Sequence, residues 1–147
     1  MKYSGSIIIN KPRKIVVSYF ADPKYLANYQ EGFLKKETVS GESGKTGAIS
    51  KMYYNINGRD LELTENITNN NLPESFEAFY QHKHMDNTMK CSFEEIDANK
   101  TQYNYEFEYT RVSWLMPKLM IMLFPGMFRK MGEKWLNNFK EFVEEQK

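Results

Sequence analysis

The 147-residue sequence has little cysteine, little histidine and no long uninterrupted apolar run. The one cysteine, Cys91, excludes a disulfide within the chain and favours a reducing compartment. With only His82 and His84, no confident Ser/His/Asp triad for nucleophilic catalysis can be assembled. The first ten residues hold only three consecutive apolar side chains, too few for a secretory signal, so we expect a cytoplasmic protein.

An excess of charge of one sign is also missing. Lys and Arg number 20 against 19 Asp and Glu, a net charge of +1, which excludes a global field that would attract nucleic acid. We therefore expect no nucleic-acid partner. The length suits one domain over residues 1–147 with a substantial core, and we expect a monomer or a weak dimer.

The longest apolar stretch, Val112 to Phe128, is too short and too interrupted to span a bilayer. It contains Pro117, Lys118 and Pro125-Gly126, and it falls short of the roughly 20 residues that a span requires. We expect a buried or cavity-facing helix here and no stable membrane insertion. A segment that touches the lipid interface transiently stays open as an alternative.

Residues 101–111 carry the clearest strand pattern in the sequence. Aromatic and polar side chains alternate, and a strand turns successive side chains to opposite faces. Such a segment is typical of an antiparallel sheet that is wet on one side and covered on the other. The aromatic face consists of Tyr103, Tyr105, Phe107 and Tyr109.

The rest of the chain predicts two short helices and further strands. Pro12 and Asp22-Pro23 are start signals for two helices that follow a first strand at Lys2–Asn10. Asn57-Gly58 predicts a tight hairpin because both residues tolerate positive φ, and a second turn is predicted at residues 84–87. The six later strands are predicted at Phe33–Ser40, Ile49–Ile56, Leu61–Thr68, Phe76–Lys83, Thr88–Ile96 and 101–111.

The last element is predicted as a helix from about Trp114 to Glu145, bent at Pro125-Gly126. Apolar residues recur there at three- and four-residue steps and make one face that is expected to cover the sheet. That face consists of Phe128, Met131, Trp135, Phe139 and Phe142. The expected fold is α+β: a curved antiparallel sheet of six to seven strands, in the order β-α-α-β6-α, wrapped around a long C-terminal helix.

Several segments resemble the START-like superfamily (SRPBCC), which includes pollen-allergen ligand carriers, lipid-transfer domains and polyketide cyclase/dehydrase-like proteins. The matching residues are Ile7 to Pro12, Ile15, Tyr19 to Pro23, Gly44, Gly47 and Trp135 to Phe142. The resemblance covers essentially the whole chain. It implies a helix-grip fold with a cavity between the sheet and the terminal helix, and it transfers no catalytic residues.

The segment Gly41-Glu42-Ser43-Gly44-Lys45-Thr46 has part of the pattern of a phosphate-binding loop. The first glycine of that pattern is replaced by Val39, and the residues after Thr46 alternate like a strand, whereas a phosphate loop precedes a helix. We interpret the segment as a glycine-rich loop at the mouth of the cavity, as in the pollen-allergen relatives.

His82 and His84 form a His-x-His pair, with Asp86 or Cys91 as a conceivable third metal ligand. His84 falls at the predicted turn and the chain has no further histidine, so we expect no metal and no cofactor. Instead, one imidazole is expected inside the pocket and the other in solvent. Cys91 shares an apolar strand face with Met89 and Phe93, so it is interpreted as a small buried hydrophobe.

Aromatic residues and methionines are expected to converge between the sheet and the terminal helix. Inward tyrosines bring hydroxyl groups that need partners, so this set indicates a ligand pocket with a few orienting polar groups. His82 and Arg111, if inward, would add a donor and a positive charge suited to an oxyanion. The candidate ligand-binding residues are Tyr54, Leu63, Phe76, Tyr80, His82, Met89, Phe93, Tyr103, Tyr105, Phe107, Tyr109, Arg111, Met120, Met127, Met131 and Trp135.

Three functions follow from these observations and stay open at this point. The first is a carrier or sensor of a small hydrophobic molecule such as a lipid, fatty acid, isoprenoid or polyketide-like ring. The second is a cyclase- or dehydratase-like enzyme in which pocket tyrosines and His82 move a proton. The third is a protein- or membrane-interaction module that uses an apolar patch at residues 114–128.

Overall fold

A computed structural model describes residues 2–113 and 125–147 of the protein. The strands are β1 Lys2–Ile9, β2 Phe33–Ser40, β3 Ile49–Ile56, β4 Arg59–Asn71, β5 Ser75–Gln81, β6 Met85–Asp97 and β7 Lys100–Val112. The helices are α1 Arg13–Ala21, a 3₁₀ turn Pro23–Tyr25, α2 Leu26–Tyr29 and α3 Pro125–Glu145. The predicted start of the terminal helix at Trp114 and the predicted site residue Met120 lie outside the described residues.

The strands form a seven-stranded antiparallel sheet in the order β1-β7-β6-β5-β4-β3-β2. Strands β2 to β6 each pair with the next strand along the chain, and β1 closes the other edge by pairing with β7. The helices pack on one face, which we call the concave face: α3 contacts β1, and α1 contacts β6 and β7. This arrangement confirms the predicted α+β helix-grip fold.

Of the two central hairpins, one has its turn where the sequence predicts it and the other does not. Asn57 and Gly58 both have positive φ, 54° and 80°, and join β3 to β4 as predicted. The β5–β6 turn instead lies at residues 82–84, closed by a hydrogen bond from the His82 amide to the Met85 carbonyl. The predicted turn at 84–87 is therefore wrong, and Asp86 and Asn87 belong to strand β6.

Helix α3 buries a face rotated from the predicted one. Its buried residues are Gly132, Leu136, Phe139 and Val143. Gly132 lies against the sheet on this face, where a Cβ would be 3.6 Å from the Tyr3 ring and 3.9 Å from the rings of Tyr105 and Phe107. Helix α3 thus lies against β1 and β7 at Gly132. On the neighbouring face of the helix, Met131 and Trp135 are 43% and 41% exposed.

One end of the concave face is closely packed, and we call it the packed end. There Phe20 of α1 contacts Phe93 and Tyr103 at ring-centroid distances of 5.1 and 6.2 Å, and Val16 is completely buried. Its neighbour Ile15 is exposed. Other fully buried residues of this end are Ile9, Thr101 and Val143.

Hydrogen bonds from α3 and β7 hold the β1–α1 connection at the packed end. The Glu144 carboxylate accepts from the Asn10 amide at 2.7 Å, and the buried Thr101 hydroxyl donates to the Lys11 carbonyl at 2.8 Å. None of the described helices is both long and apolar enough to cross a membrane.

Candidate functional site

A row of polar side chains crosses the concave face of the sheet. Residues directly opposite one another in an antiparallel sheet share a face, so the register alone defines the row. It runs through β2, β3, β4, β5, β6 and β7 as Thr38, Ser50, Glu65, Tyr80, Asn87 and Tyr109. Polar groups in line across the covered face of a sheet are unusual in a core whose only task is packing.

The middle of the row holds a buried charge. Glu65 is only 4% exposed, and its Oε2 accepts a hydrogen bond of 2.7 Å from the Tyr80 hydroxyl. The Lys36 ammonium lies 2.7 Å from Oε1 and neutralises the carboxylate. Among the described residues this ammonium is the polar partner of Oε1. A buried carboxylate needs such partners, because an isolated buried charge is strongly unfavourable.

Sequence reasoning missed Glu65 and Lys36, although it could have found one of them. Glu65 lies two positions from Leu63 and from Ile67, so a charge at an inward position of an alternating strand was visible. Lys36 could not be found in this way, because a register shift between Phe33 and Lys35 resets the alternation of β2.

The tyrosines near this charge remain neutral hydroxyl groups. Burial raises the pKa of Tyr80 well above its usual value, and the adjacent Glu65 carboxylate raises it further. Burial first, and then Glu65, likewise raises the pKa of Tyr54, whose hydroxyl donates to the Gln30 side chain at 2.7 Å. Burial and the neighbouring Tyr109 raise the pKa of Tyr3. These phenols are therefore donors and acceptors rather than charged groups.

Beyond this row, toward the turns at Asn57-Gly58 and 82–84, the described helices cover the concave face less completely. We call this region the open end. Five of its inward strand residues are half-buried, whereas the inward strand residues Ile9, Phe93 and Thr101 of the packed end are fully buried. The half-buried set at the open end is Leu61, Leu63, Tyr80, Met85 and Tyr109.

Arg111 does not belong to the concave site. It pairs in register with Asp86, whose neighbour Asn87 is inward, so both Arg111 and Asp86 belong to the outer face. Its guanidinium forms two hydrogen bonds to the Asp86 carboxylate at 2.8 and 3.0 Å and a third to the His82 carbonyl at 3.0 Å. The expectation that Arg111 offers an inward positive charge to an oxyanion is therefore corrected, because its charge is already paired.

His82 and His84 lie together in the β5–β6 turn, with ring centroids 5.9 Å apart. His82 Nδ1 accepts the His84 amide at 3.2 Å, which places the proton of neutral His82 on Nε2. Burial lowers the pKa of His82, and the neighbouring positive groups of His84, Lys83 and Arg111 lower it further. No cluster of three possible metal ligands occurs within residues 2–113 and 125–147.

Cys91 is a buried thiol of the core. Burial raises its pKa to about 12, while hydrogen bonds with Tyr103 and the Phe76 backbone act weakly in the other direction. A thiol that is neutral at physiological pH is a poor nucleophile, so the structure agrees with the packing role predicted for Cys91.

The predicted site residues that the structure describes fall into four groups. Phe76, Met89, Phe93, Tyr103 and Tyr105 are buried on the concave face of β5, β6 and β7. Tyr54, Leu63, Tyr80, Phe107 and Tyr109 lie on the same face at or near the open end. Met131 and Trp135 are exposed on α3, and Met127 lies in the first turn of that helix. His82 and Arg111 belong to the β5–β6 turn and the outer face.

Comparisons with known proteins identify the fold. No family model and no curated protein matches the sequence. A conserved protein from Geobacillus kaustophilus is similar with a TM-score of 0.80 at 13% identity, over 97% of this chain and 95% of that one. A START superfamily protein from Mycobacterium smegmatis has a TM-score of 0.78 at 11% identity, over 97% of both chains. The Zhui aromatase/cyclase from Streptomyces sp. R1128 has a TM-score of 0.77 at 11% identity, over 98% and 93%.

Identities this low show the fold alone. The chain has the START-like fold, which confirms the resemblance inferred from its sequence. The ligand and the chemistry depend on this chain's own side chains.

Proposed function

We propose that this START-like chain binds a small hydrophobic molecule, such as a lipid, an isoprenoid or a polyketide-like ring, and carries or senses it. The proposed site lies between the open end of the concave face and α3. The observation that carries the proposal is the contrast in burial. Five inward strand residues of the open end are half-buried, whereas the inward strand residues Ile9, Phe93 and Thr101 of the packed end are fully buried, and a ligand would complete the cover of the open end.

Two strips of apolar surface support this proposal. Leu61 and Leu63 line the sheet side, and Met131 and Trp135 lie exposed on the neighbouring helix. Flexible methionine and a large aromatic ring adapt to ligands of different shape. Apolar surface of this kind is favourably covered, at about 25 cal/mol for each Å² removed from water.

Native mass spectrometry of the protein as purified from cells tests the proposal, followed by organic extraction and identification of the released molecule. We expect a discrete added mass that disappears on denaturation. The variant Leu63→Trp, which fills the open end, is expected to lose that mass. Leu34→Trp is the matched control, because Leu34 is 61% exposed at the edge of the sheet. Retention of the same mass by Leu63→Trp would place the ligand elsewhere.

A second candidate function is a cyclase- or dehydratase-like enzyme, and Glu65 favours it. A buried carboxylate beside a phenol can act as an acid–base pair, and Glu65 replaces His82 as its centre because His82 lies in the turn. Incubation with the extracted molecule should then yield a product whose formation stops in Glu65→Gln and slows in Tyr80→Phe. Unchanged turnover in Glu65→Gln would exclude this role.

A further inference from the structure

We infer that the site prefers a neutral, oxygen-bearing hydrophobic molecule, an alcohol or a ketone, over a carboxylate, and that Asn87 binds the oxygen. This inference deepens the proposed function and rests on it. It names the charge state of the ligand and the residue that orients it.

The position of Asn87 follows from its two neighbours in register. It lies opposite Tyr80 on β5 and opposite Tyr109 on β7, so its side chain shares the concave face with both tyrosines. It is half-buried at the open end. Its side-chain amide has no hydrogen-bond partner among the described residues, whereas Tyr80 donates to Glu65 and Tyr109 interacts with Tyr3. Asn87 therefore offers both a free donor and a free acceptor.

The cationic groups near this position are already paired or turned away. Among inward strand residues of the described part of the chain, Lys36 is the cation, and Glu65 neutralises it at 2.7 Å. Arg111 is held by Asp86 on the outer face. On α3, Glu133 raises the pKa of Tyr105 and Arg129 lowers it, so this helix presents charges of both signs near Tyr105.

A carboxylate ligand would therefore lose its hydration without gaining a counter-charge. Moving a charged group out of water without a partner is strongly unfavourable, whereas a neutral oxygen needs only one or two hydrogen bonds. An alcohol can accept from the Asn87 amide nitrogen and donate to its oxygen, and a ketone can accept from the nitrogen.

Displacement of diphenylhexatriene, a fluorescent hydrocarbon without hydrogen-bonding groups, tests the inference. The competitors are 1-dodecanol and dodecanoate at pH 8, where the acid is ionised. For the unmodified protein we expect dodecanol to bind at least about tenfold more tightly than dodecanoate. Equal binding of the two, or tighter binding of the acid, would overturn the inference but not the proposed function. Failure of diphenylhexatriene and both competitors to bind would overturn both.

Two variants assign the preference to named residues. Asn87→Leu should weaken dodecanol about tenfold and leave diphenylhexatriene unchanged, because it removes a hydrogen-bonding group but no apolar surface. The matched control is Asn66→Leu, since Asn66 is a half-buried strand asparagine of the outer face. If both variants weaken dodecanol equally, Asn87 is not the orienting residue.

Glu65→Gln provides a test that does not depend on Asn87. It leaves the Lys36 ammonium without its carboxylate, so dodecanoate should bind at least about tenfold more tightly than to the unmodified protein. Circular dichroism would establish that the variant is folded. A folded Glu65→Gln protein with unchanged dodecanoate binding would contradict the electrostatic basis of the preference.

Discussion

The packed end and the open end of the concave face are built from the same strands but differ in what covers them. At the packed end, α1 and the last turns of α3 enclose Phe93, Ile9 and Val143 almost completely. At the open end, leucine, methionine and tyrosine side chains stay half-buried beside a polar row. The difference indicates that stability is concentrated at the packed end, while the proposed ligand site lies at the other.

Truncating one core side chain at each end should give very different losses of stability. Phe93→Ala should lower the free energy of unfolding by about 3–5 kcal/mol, because it leaves a cavity beside Phe20 and Tyr103. Leu63→Ala at the open end should lower it by less than about half of that, since the half-buried site can admit water. Urea denaturation of both variants measures the difference. Equal losses would show that the two ends contribute alike.

The buried ion pair gives the next largest effect. Lys36→Met should cost about 3 kcal/mol, because it leaves the Glu65 carboxylate buried without its cation. The double variant Lys36→Met/Glu65→Gln should recover most of this loss, since the introduced glutamine amide is uncharged and its oxygen can still accept from Tyr80. Thermal and urea denaturation of both proteins provide the test. A double variant no more stable than the single one would mean that the pair itself is strongly stabilising.

Replacing Gly5 of β1 or Gly132 of α3 by alanine is expected to change the free energy of unfolding in opposite directions. In Gly5→Ala the new Cβ would lie 2.8 Å from the Tyr105 ring, so the ring must move and stability should fall by about 1–3 kcal/mol. In Gly132→Ala the new Cβ makes only ordinary van der Waals contacts. The protein should become about 1 kcal/mol more stable, because glycine loses more backbone entropy than alanine when the helix forms. A destabilised Gly132→Ala would contradict the described approach of α3 to β1.

The smallest effect concerns pH at the open end. The pKa of His82 is lowered by burial and by nearby positive groups, so the neutral form is favoured in the folded protein. Its contribution to stability is complete above the ordinary pKa of about 6.5 and is lost as pH falls through the lowered value. His82→Asn keeps an acceptor for the His84 amide but does not titrate. Its melting temperature should therefore fall less between pH 8 and 5. Parallel melting curves would contradict this linkage.

The sequence predicted the fold well because its strongest signals are local. The alternation at residues 103–109 and the Asn57-Gly58 turn each require only neighbouring residues to be interpreted. The inward set of β7 and the β3–β4 hairpin accordingly lie where they were expected.

The candidate site was less predictable because it depends on irregularities and on packing. Lys36 faces inward through a register shift, and Asn87 was assigned to a turn that lies several residues earlier. The orientation of Trp135 depends on how closely α3 approaches the sheet at Gly132. Glu65 is different. Its inward position could be predicted from the apolar residues two positions before and after it, and it was missed because the interior was assumed to be apolar.

The edge position of β1 also has a consequence for how the protein is made. Strands β2 to β7 can pair in the order of their synthesis, but Lys2 pairs with Glu108 and Ile9 with Thr101. We expect β1 to dock last, since closing a loop of about a hundred residues is slow compared with forming successive hairpins. Pulse-labelling hydrogen exchange during refolding should protect β3 and β4 amides before those of β1. Until β7 emerges from the ribosome, Ile7, Ile8 and Ile9 are an unpaired apolar strand that a chaperone can recognise.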